Sequence, residues 1–189
     1  HDRRTDQGEE RKMKKLLMVI DYQVDFVSGA LGFPGAEKLD AGIAGLIDCR
    51  RAEGYDILFT LDTHGADYLN TAAGRGLPIP HCIEGTEGHA LYGLTAKARR
   101  PEDTVLCKPT FGCARLLDLL RERPYDVIEL CGLVSNICVL SNAVVAKTAC
   151  PEAEITVFSD LTASSDPSLN EAALALLRGL LIQVKEYDR

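Results

Sequence analysis

Apolar positions along the chain fall into short unbroken runs, separated by longer stretches in which they recur every three or four residues. The runs are Leu16 to Ile20 (LLMVI), Ile57 to Leu61 (ILFTL), Thr104 to Cys107 (TVLC), Val127 to Cys131 (VIELC), Ile155 to Phe158 (ITVF) and Leu181 to Val184 (LIQV). Runs this short, apolar on nearly every position, suit strands buried on both faces of a parallel sheet. The intervening spacing predicts helices at Ala36 to Glu53, Cys113 to Arg121, Ser135 to Thr148 and Pro167 to Leu177. Asp166 is the expected cap of the last, with Pro167 in its first turn. Strand and helix alternate throughout, which predicts a three-layer α/β/α sandwich with a mostly parallel, about six-stranded, Rossmann-like sheet and right-handed crossovers.

One stretch breaks the rhythm. Thr63 to Thr86 is rich in Gly, Pro, Asn and Thr and too long for a plain connection, and loops of that length are usually functional. In open parallel sheets ligands bind beyond the carboxyl ends of the strands. That rule directs attention to Asp21 after the first run, Asp62 and His64 after the second, Lys108 after the third, and Cys138, reached through Gly132, after the fourth.

Composition narrows the class. A chain of 189 residues with 46% hydrophobic content suits one core, assigned to residues 13–189. Residues 1–12 are almost wholly polar and read as an N-terminal arm or an expression remnant, with Met13 the candidate natural start. No apolar run approaches the roughly 18 residues needed to cross a bilayer, and no secretion signal is apparent. A net charge of −7 opposes binding to nucleic acid or an anionic membrane surface. Seven cysteines, odd in number and scattered, read as reduced thiols and hence as a cytoplasmic protein.

Each candidate residue has an ordinary reading beside the chemical one. Cys138 lies in the first turn of an expected helix, where a helix N-terminus, the Lys108 cation and the Asp21 base would activate a thiol; most free cysteines are structural. Lys108 is equally a surface lysine, and Asp21 equally a capping or turn aspartate. An unpaired carboxylate directly after five apolar residues is nevertheless costly, so Asp21 is expected to have a partner. Asp62 and His64, two apart at a strand end, point to the same side of an extended backbone. With His81 from the long loop they form a carboxylate and two imidazoles suited to zinc, iron or manganese, or else are ordinary loop polar residues. His89 reads as a surface residue.

Several segments, in order, resemble the isochorismatase-like cysteine hydrolases, and the nicotinamidase branch in particular. DYQVDF at 21–26, including Gln23, Asp25 and Phe26, looks like D-x-Q-x-D-F, and LGFPGAEKL at 31–39 looks like the G-x-L-x-x-P-G-A-E that follows it. DTH at 62–64 matches D-x-H, and PHCIEGTEG at 80–88 is similar to P-x-H-C-V-x-G-T-x-G. Lys108 with Pro109 matches the lysine segment, and GLVSNICV at 132–139 looks like G-x-x-T-D-x-C-V. The resemblance implies an isochorismatase-like fold and a catalytic set of Asp21, Lys108 and Cys138. It also implies a cis peptide between Leu133 and Val134, and an oxyanion hole from the backbone amides of Val134 and Cys138. Asp62, His64 and His81 are implied to hold one divalent metal ion, zinc first, with Phe26 and Tyr68 as substrate-binding walls.

The implied reaction is hydrolysis of nicotinamide to nicotinate and ammonia through a thioester on Cys138, an activity that serves NAD salvage. Family members commonly form homo-oligomers, which is the expected assembly. The chain also departs from the branch: the usual tryptophan three residues before the second metal histidine is replaced by Pro78, and Thr-Asp before the cysteine by Ser135 and Asn136. Two alternatives therefore stay open. One is a cysteine hydrolase of the same fold acting on another small amide, carbamoyl or ureido compound, and the other is a non-catalytic metal-binding or interaction module.

Overall fold

The computed structural model describes residues 11–188. Residues 1–10, most of the polar arm, lie outside the described residues; Arg11 pairs with Asp126. Strand β1 (Lys15–Ile20) is the centre of the architecture. Its consecutive apolar side chains point alternately to opposite faces: Leu16, Met18 and Ile20 enter one buried cluster, Leu17 and Val19 the other. Both faces of the sheet must therefore be covered, and each fully buried Leu, Ile or Val contributes about 1.5–3 kcal/mol relative to exposure.

The remaining strands are β2 (Asp56–Asp62), β3 (Thr104–Lys108), β4 (Val127–Leu133), β5 (Glu154–Ala163) and β6 (Gln183–Lys185). They form one sheet in the order β3-β2-β1-β4-β5-β6, and every neighbouring pair is parallel. The helices are α1 (Val24–Val27), α2 (Asp40–Ala52), α3 (Ala72–Gly76), α4 (Gly93–Ala98), α5 (Ala114–Glu122), α6 (Leu140–Ala149) and α7 (Pro167–Gly179). Ile43, Leu46 and Ile47 of α2 pack on the Leu17 face. Leu116 and Leu120 of α5, Ala143 and Ala146 of α6, and Leu174 and Leu177 of α7 pack on the Leu16 face. The result is the expected three-layer sandwich.

The strand order reverses direction at β1, so its carboxyl end and that of β4 flank the crevice where ligands bind in such sheets. Gly132 permits their close approach. It has φ of 113°, and a Cβ there would stand 2.1 Å from the Ile20 carbonyl oxygen, so only glycine satisfies both the backbone and the neighbour.

Four local differences from the sequence expectation have physical causes. The segment expected as one helix at Ala36 to Glu53 is a 3-10 turn, Ala36–Leu39, followed by α2. Asp40 does not merely begin α2: its carboxylate accepts from Leu94 N at 2.8 Å and Thr95 N at 2.9 Å, capping α4, an unanticipated helix too short to show a period. The last strand starts at Gln183 rather than Leu181, because Leu181 is 81% exposed and turns through φ of 60°. The long loop contains a 3-10 turn, Tyr68–Asn70, and α3.

Gly132→Ala is expected to lower stability by about 3 kcal/mol or more, combining left-handed backbone strain with a backbone clash; thermal or denaturant unfolding measures it.

Candidate active site

The carboxyl ends of β1, β3 and β4 bring three reactive groups together. Asp21 follows β1 with a backbone φ of 44°, a region non-glycine residues occupy only when their surroundings enforce it. Thr60 on β2 provides that enforcement: Asp21 N donates to the Thr60 carbonyl at 3.1 Å, and the Thr60 hydroxyl donates to Asp21 Oδ1 at 2.7 Å. The other oxygen, Oδ2, faces Lys108 Nζ at 2.6 Å. Lys108 closes β3 and is buried. Its ammonium also donates to the Thr110 carbonyl at 3.0 Å and stands 3.4 Å from Cys138 Sγ. Cys138 is 5% exposed and lies in a π-helical turn, Ser135–Val139, that leads into α6. The peptide joining Leu133 to Val134, just before that turn, is cis.

The electrostatics follow from burial. Desolvation raises the proton affinity of Asp21 above the usual carboxylate range, although Lys108 pulls it back. Burial, then the Asp21 charge, pushes the Cys138 thiol well up, with Lys108 opposing. Burial alone would lower Lys108, but the Asp21 charge beside it outweighs that and holds the ammonium protonated. The Asp21–Lys108 pair, 2.6 Å apart, thus stands beside a thiol that keeps its proton at rest. A thiol proton lost during attack has a basic acceptor beside it, and the sulfur anion has a cation within contact.

A second group adjoins the first. Asp62 ends β2, and its Oδ2 lies 2.9 Å from His64 Nε2 and 3.2 Å from His81 Nε2. The ligand atoms of Asp62, His64 and His81 all fall within 4.8 Å of one another. His81 Nδ1 donates to the Ile79 carbonyl at 2.7 Å, which turns Nε2 toward the cluster. One carboxylate oxygen and two imidazole nitrogens converging in this way fit a divalent ion with open positions. The long loop reaches the strand end through His64 N donating to the Cys82 carbonyl at 3.0 Å and Glu84 N donating to the His64 carbonyl at 2.9 Å. Asp25 anchors the loop, accepting from Cys82 N at 2.7 Å. Gly88 is needed there, since a Cβ would fall 2.1 Å from Asp25 Oδ2.

A cavity of about 490 Å³ opens over the cluster, lined by Asp62, His64 and His81, by Tyr68 and Leu77 of the long loop, and by Pro109 to Phe111 after Lys108. Tyr68 stacks edgewise on both imidazoles, 4.7 Å from His64 and 5.0 Å from His81. Phe26, expected as a second wall, is buried and packs on His81 at 5.6 Å; it lies outside the residues lining the cavity and supports the histidine instead. Pro78 is exposed, and the second aromatic of the cavity is Phe111, 56% exposed. His89, expected at the surface, is half-buried with Nε2 2.8 Å from the Thr63 hydroxyl and takes no part in the metal-type cluster.

Three supporting residues had no role assigned from sequence. Thr60 orients Asp21, and its signal is a hydroxyl inside the otherwise apolar run ILFTL. Gln23 clamps the backbone of Asp62, donating to its carbonyl at 2.9 Å and accepting from its amide at 2.8 Å. Asn142, a buried amide four residues after Cys138, bonds to the Cys138 carbonyl.

With this geometry in place, the family is settled by comparison: the isochorismatase domain matches residues 15–186, and the chain belongs to the isochorismatase family of hydrolases. It is similar to the nicotinamidase/pyrazinamidase PncA of Bacillus subtilis, with 32% identity, 92% of this chain and 100% of that chain covered, and a TM-score of 0.81. It is similar also to the pyrazinamidase of Pyrococcus horikoshii solved in complex with zinc, at 25% identity, 92% and 99% coverage and a TM-score of 0.79. The N-carbamoylsarcosine amidase of Thermoplasma acidophilum matches at 25% identity, 94% and 98% coverage and a TM-score of 0.77. No helix among the described residues is long and apolar enough to cross a membrane.

Reconstituted with zinc, iron or manganese, the protein is expected to bind metal stoichiometrically, and His81→Ala to lose it. Gln23→Leu should weaken binding by about 10–100-fold, the usual effect of removing a group that orients a ligand. Elemental analysis and competition with a chelating dye read both.

Proposed function

We propose that the protein is a cysteine-dependent amidohydrolase, most consistent with hydrolysis of nicotinamide or a related small aromatic amide. The observation that carries this reading is the placement of Lys108 Nζ between Asp21 Oδ2, at 2.6 Å, and Cys138 Sγ, at 3.4 Å, in one buried cleft. Among the described residues Lys108 is the lysine in contact with a cysteine sulfur, which singles out Cys138 from seven free cysteines.

In the proposed sequence Asp21 takes the thiol proton as Cys138 Sγ bonds to the carboxamide carbon. The backbone amides of Val134 and Cys138 receive the developing oxyanion. Asp21 returns the proton to nitrogen as the C–N bond breaks, ammonia leaves and a thioester remains. Asp21 next accepts a proton from water as its oxygen attacks the thioester carbon; the C–S bond breaks, the carboxylic acid departs and the thiol is restored. Lys108 keeps its proton throughout, stabilising the sulfur anion and holding Asp21 in place. Asp62, His64 and His81 would hold a divalent ion, zinc first on the donor set and the zinc-bound relative, and such an ion would supply a Lewis-acidic point for an aromatic ring nitrogen. Phe111 offers aromatic surface to such a ring, and Tyr68 backs the two imidazoles.

A second reading is favoured by the likeness to an N-carbamoylsarcosine amidase and by the absence of tryptophan from the chain. The same nucleophile would then attack a carbamoyl carbon. Seven free thiols suit a reducing compartment, and we place the protein in the cytoplasm.

Ammonia release from nicotinamide, pyrazinamide, aliphatic amides and carbamoyl compounds, with added metal, is expected to be highest for a ring amide; preference for a carbamoyl compound selects the second reading. Cys138→Ala should abolish release from every substrate while the far-ultraviolet circular dichroism stays unchanged. Acidification should cut kcat/KM as pH falls through the pKa of Asp21. Because burial raises that pKa from 3.8, the loss begins at higher pH than for an ordinary carboxylate, and a pH-rate profile locates it.

A further inference from the structure

The buried amide of Asn142 has every hydrogen-bonding group used, and its partners belong to both halves of the active site. Asn142 is 0% exposed, on the first turn of α6. Its Nδ2 donates to the Cys138 carbonyl at 2.8 Å and to the Phe111 carbonyl at 3.0 Å. Its Oδ1 accepts from Cys113 N at 2.9 Å. Two carbonyls face the nitrogen and one N–H faces the oxygen, so the amide orientation has one satisfied solution. The partner residues explain what the clamp does. Cys138 is the nucleophile of the proposed reaction. Phe111 lines the cavity and follows Thr110, whose carbonyl accepts from Lys108 Nζ at 3.0 Å, and Lys108 Nζ returns to Cys138 Sγ at 3.4 Å. The contacts close a ring: Cys138 carbonyl, Asn142 amide, Phe111 and Thr110 backbone, Lys108 ammonium, Cys138 sulfur.

We infer that Asn142 is a positioning residue that sets the nucleophile turn against the Lys108–Phe111 loop, holding the sulfur at its cation and Phe111 at the wall of the substrate cavity. The alternative occupants of position 142 show why an amide is needed. A hydrophobic residue of similar size breaks all three bonds at once and frees the nucleophile turn from the Phe111 and Cys113 backbone. A threonine hydroxyl on a helix can bond back to the carbonyl four residues earlier, here that of Cys138, but it is too short to span to Phe111 as well. The two links of the clamp are therefore separable by substitution, which a purely structural role does not predict.

The inference rests on the amidohydrolase reading for its kinetic arm alone. Asn142→Leu and Asn142→Thr are compared with the native protein in thermal unfolding, in the rate of Cys138 alkylation by iodoacetamide followed at that site by peptide mass spectrometry, and in kcat and KM for the best amide of the ammonia-release screen. A sub-ångström to 1 Å displacement of the sulfur lowers kcat by about 10–100-fold, which is the loss expected for a folded Asn142→Leu, together with a changed alkylation rate. Asn142→Thr should restore kcat to within a few-fold while KM remains raised, because Phe111 is still unheld. Native values of kcat, KM and alkylation rate in folded Asn142→Leu would overturn the inference, as would equal losses in both folded variants. If the leucine variant does not fold, the threonine variant decides: native kcat with raised KM supports the clamp, and native values of both contradict it. If the native protein hydrolyses no amide, the proposed function fails, yet the alkylation comparison still tests the clamp.

Discussion

A carboxylate and an ammonium held 2.6 Å apart with almost no solvent contact are the constraint on which the rest of the site depends. Removing two such charges from water costs several kcal/mol for each ion, which their attraction offsets only when geometry and further hydrogen bonds are favourable. Here those bonds come from Thr60 to Asp21 and from Lys108 to the Thr110 carbonyl. Truncating either partner leaves an uncompensated buried charge, a loss of about 3–5 kcal/mol in comparable pairs. The pair therefore ties the ends of β1 and β3 together, and its third neighbour is the sulfur of Cys138. Stability and reactivity draw on the same interaction.

The fold places this pair where chain reversal in the sheet order opens a crevice. β1 delivers Asp21, β3 delivers Lys108, and β4 delivers the turn carrying Cys138, with Gly132 allowing β4 to lie directly against Ile20. β2 delivers Asp62 and His64 beside them, and the long loop returns His81 through backbone bonds to His64. Two clusters of different chemistry, one nucleophilic and one metal-type, thus lie side by side because adjacent strands end at the same level. Lys108 Nζ also lies 3.6 Å from Asp62 Oδ1, so the two clusters are electrostatically continuous.

Much of this was legible in the sequence because parallel strands buried on both faces appear as unbroken apolar runs, and polar residues ending such runs have few structural reasons to be there. The six strands, the two-sided packing and the positions of Asp21, Lys108, Cys138, Asp62, His64 and His81 follow from that logic together with the resemblance. What escaped was set by tertiary contact. α4 depends on a cap from Asp40, more than fifty residues earlier. Leu181 continues an apolar run but lies outside the sheet, because the preceding helix must end in a left-handed turn. Phe26 has the residue type of a cavity wall yet is screened behind His81, whereas Phe111 reaches the cavity from a segment whose pattern marks only a turn. Asn142 has no sequence period to betray it, being one polar residue on a helix whose burial only the structure reveals.

The most direct test of the central claim is rapid acid quench during turnover, followed by mass spectrometry of the intact and digested protein. The account predicts an acyl adduct on Cys138 with the mass of the substrate less ammonia, labile to hydroxylamine as a thioester is. Ammonia released at full rate with Cys138 never acylated, or an adduct on a different residue, would contradict it.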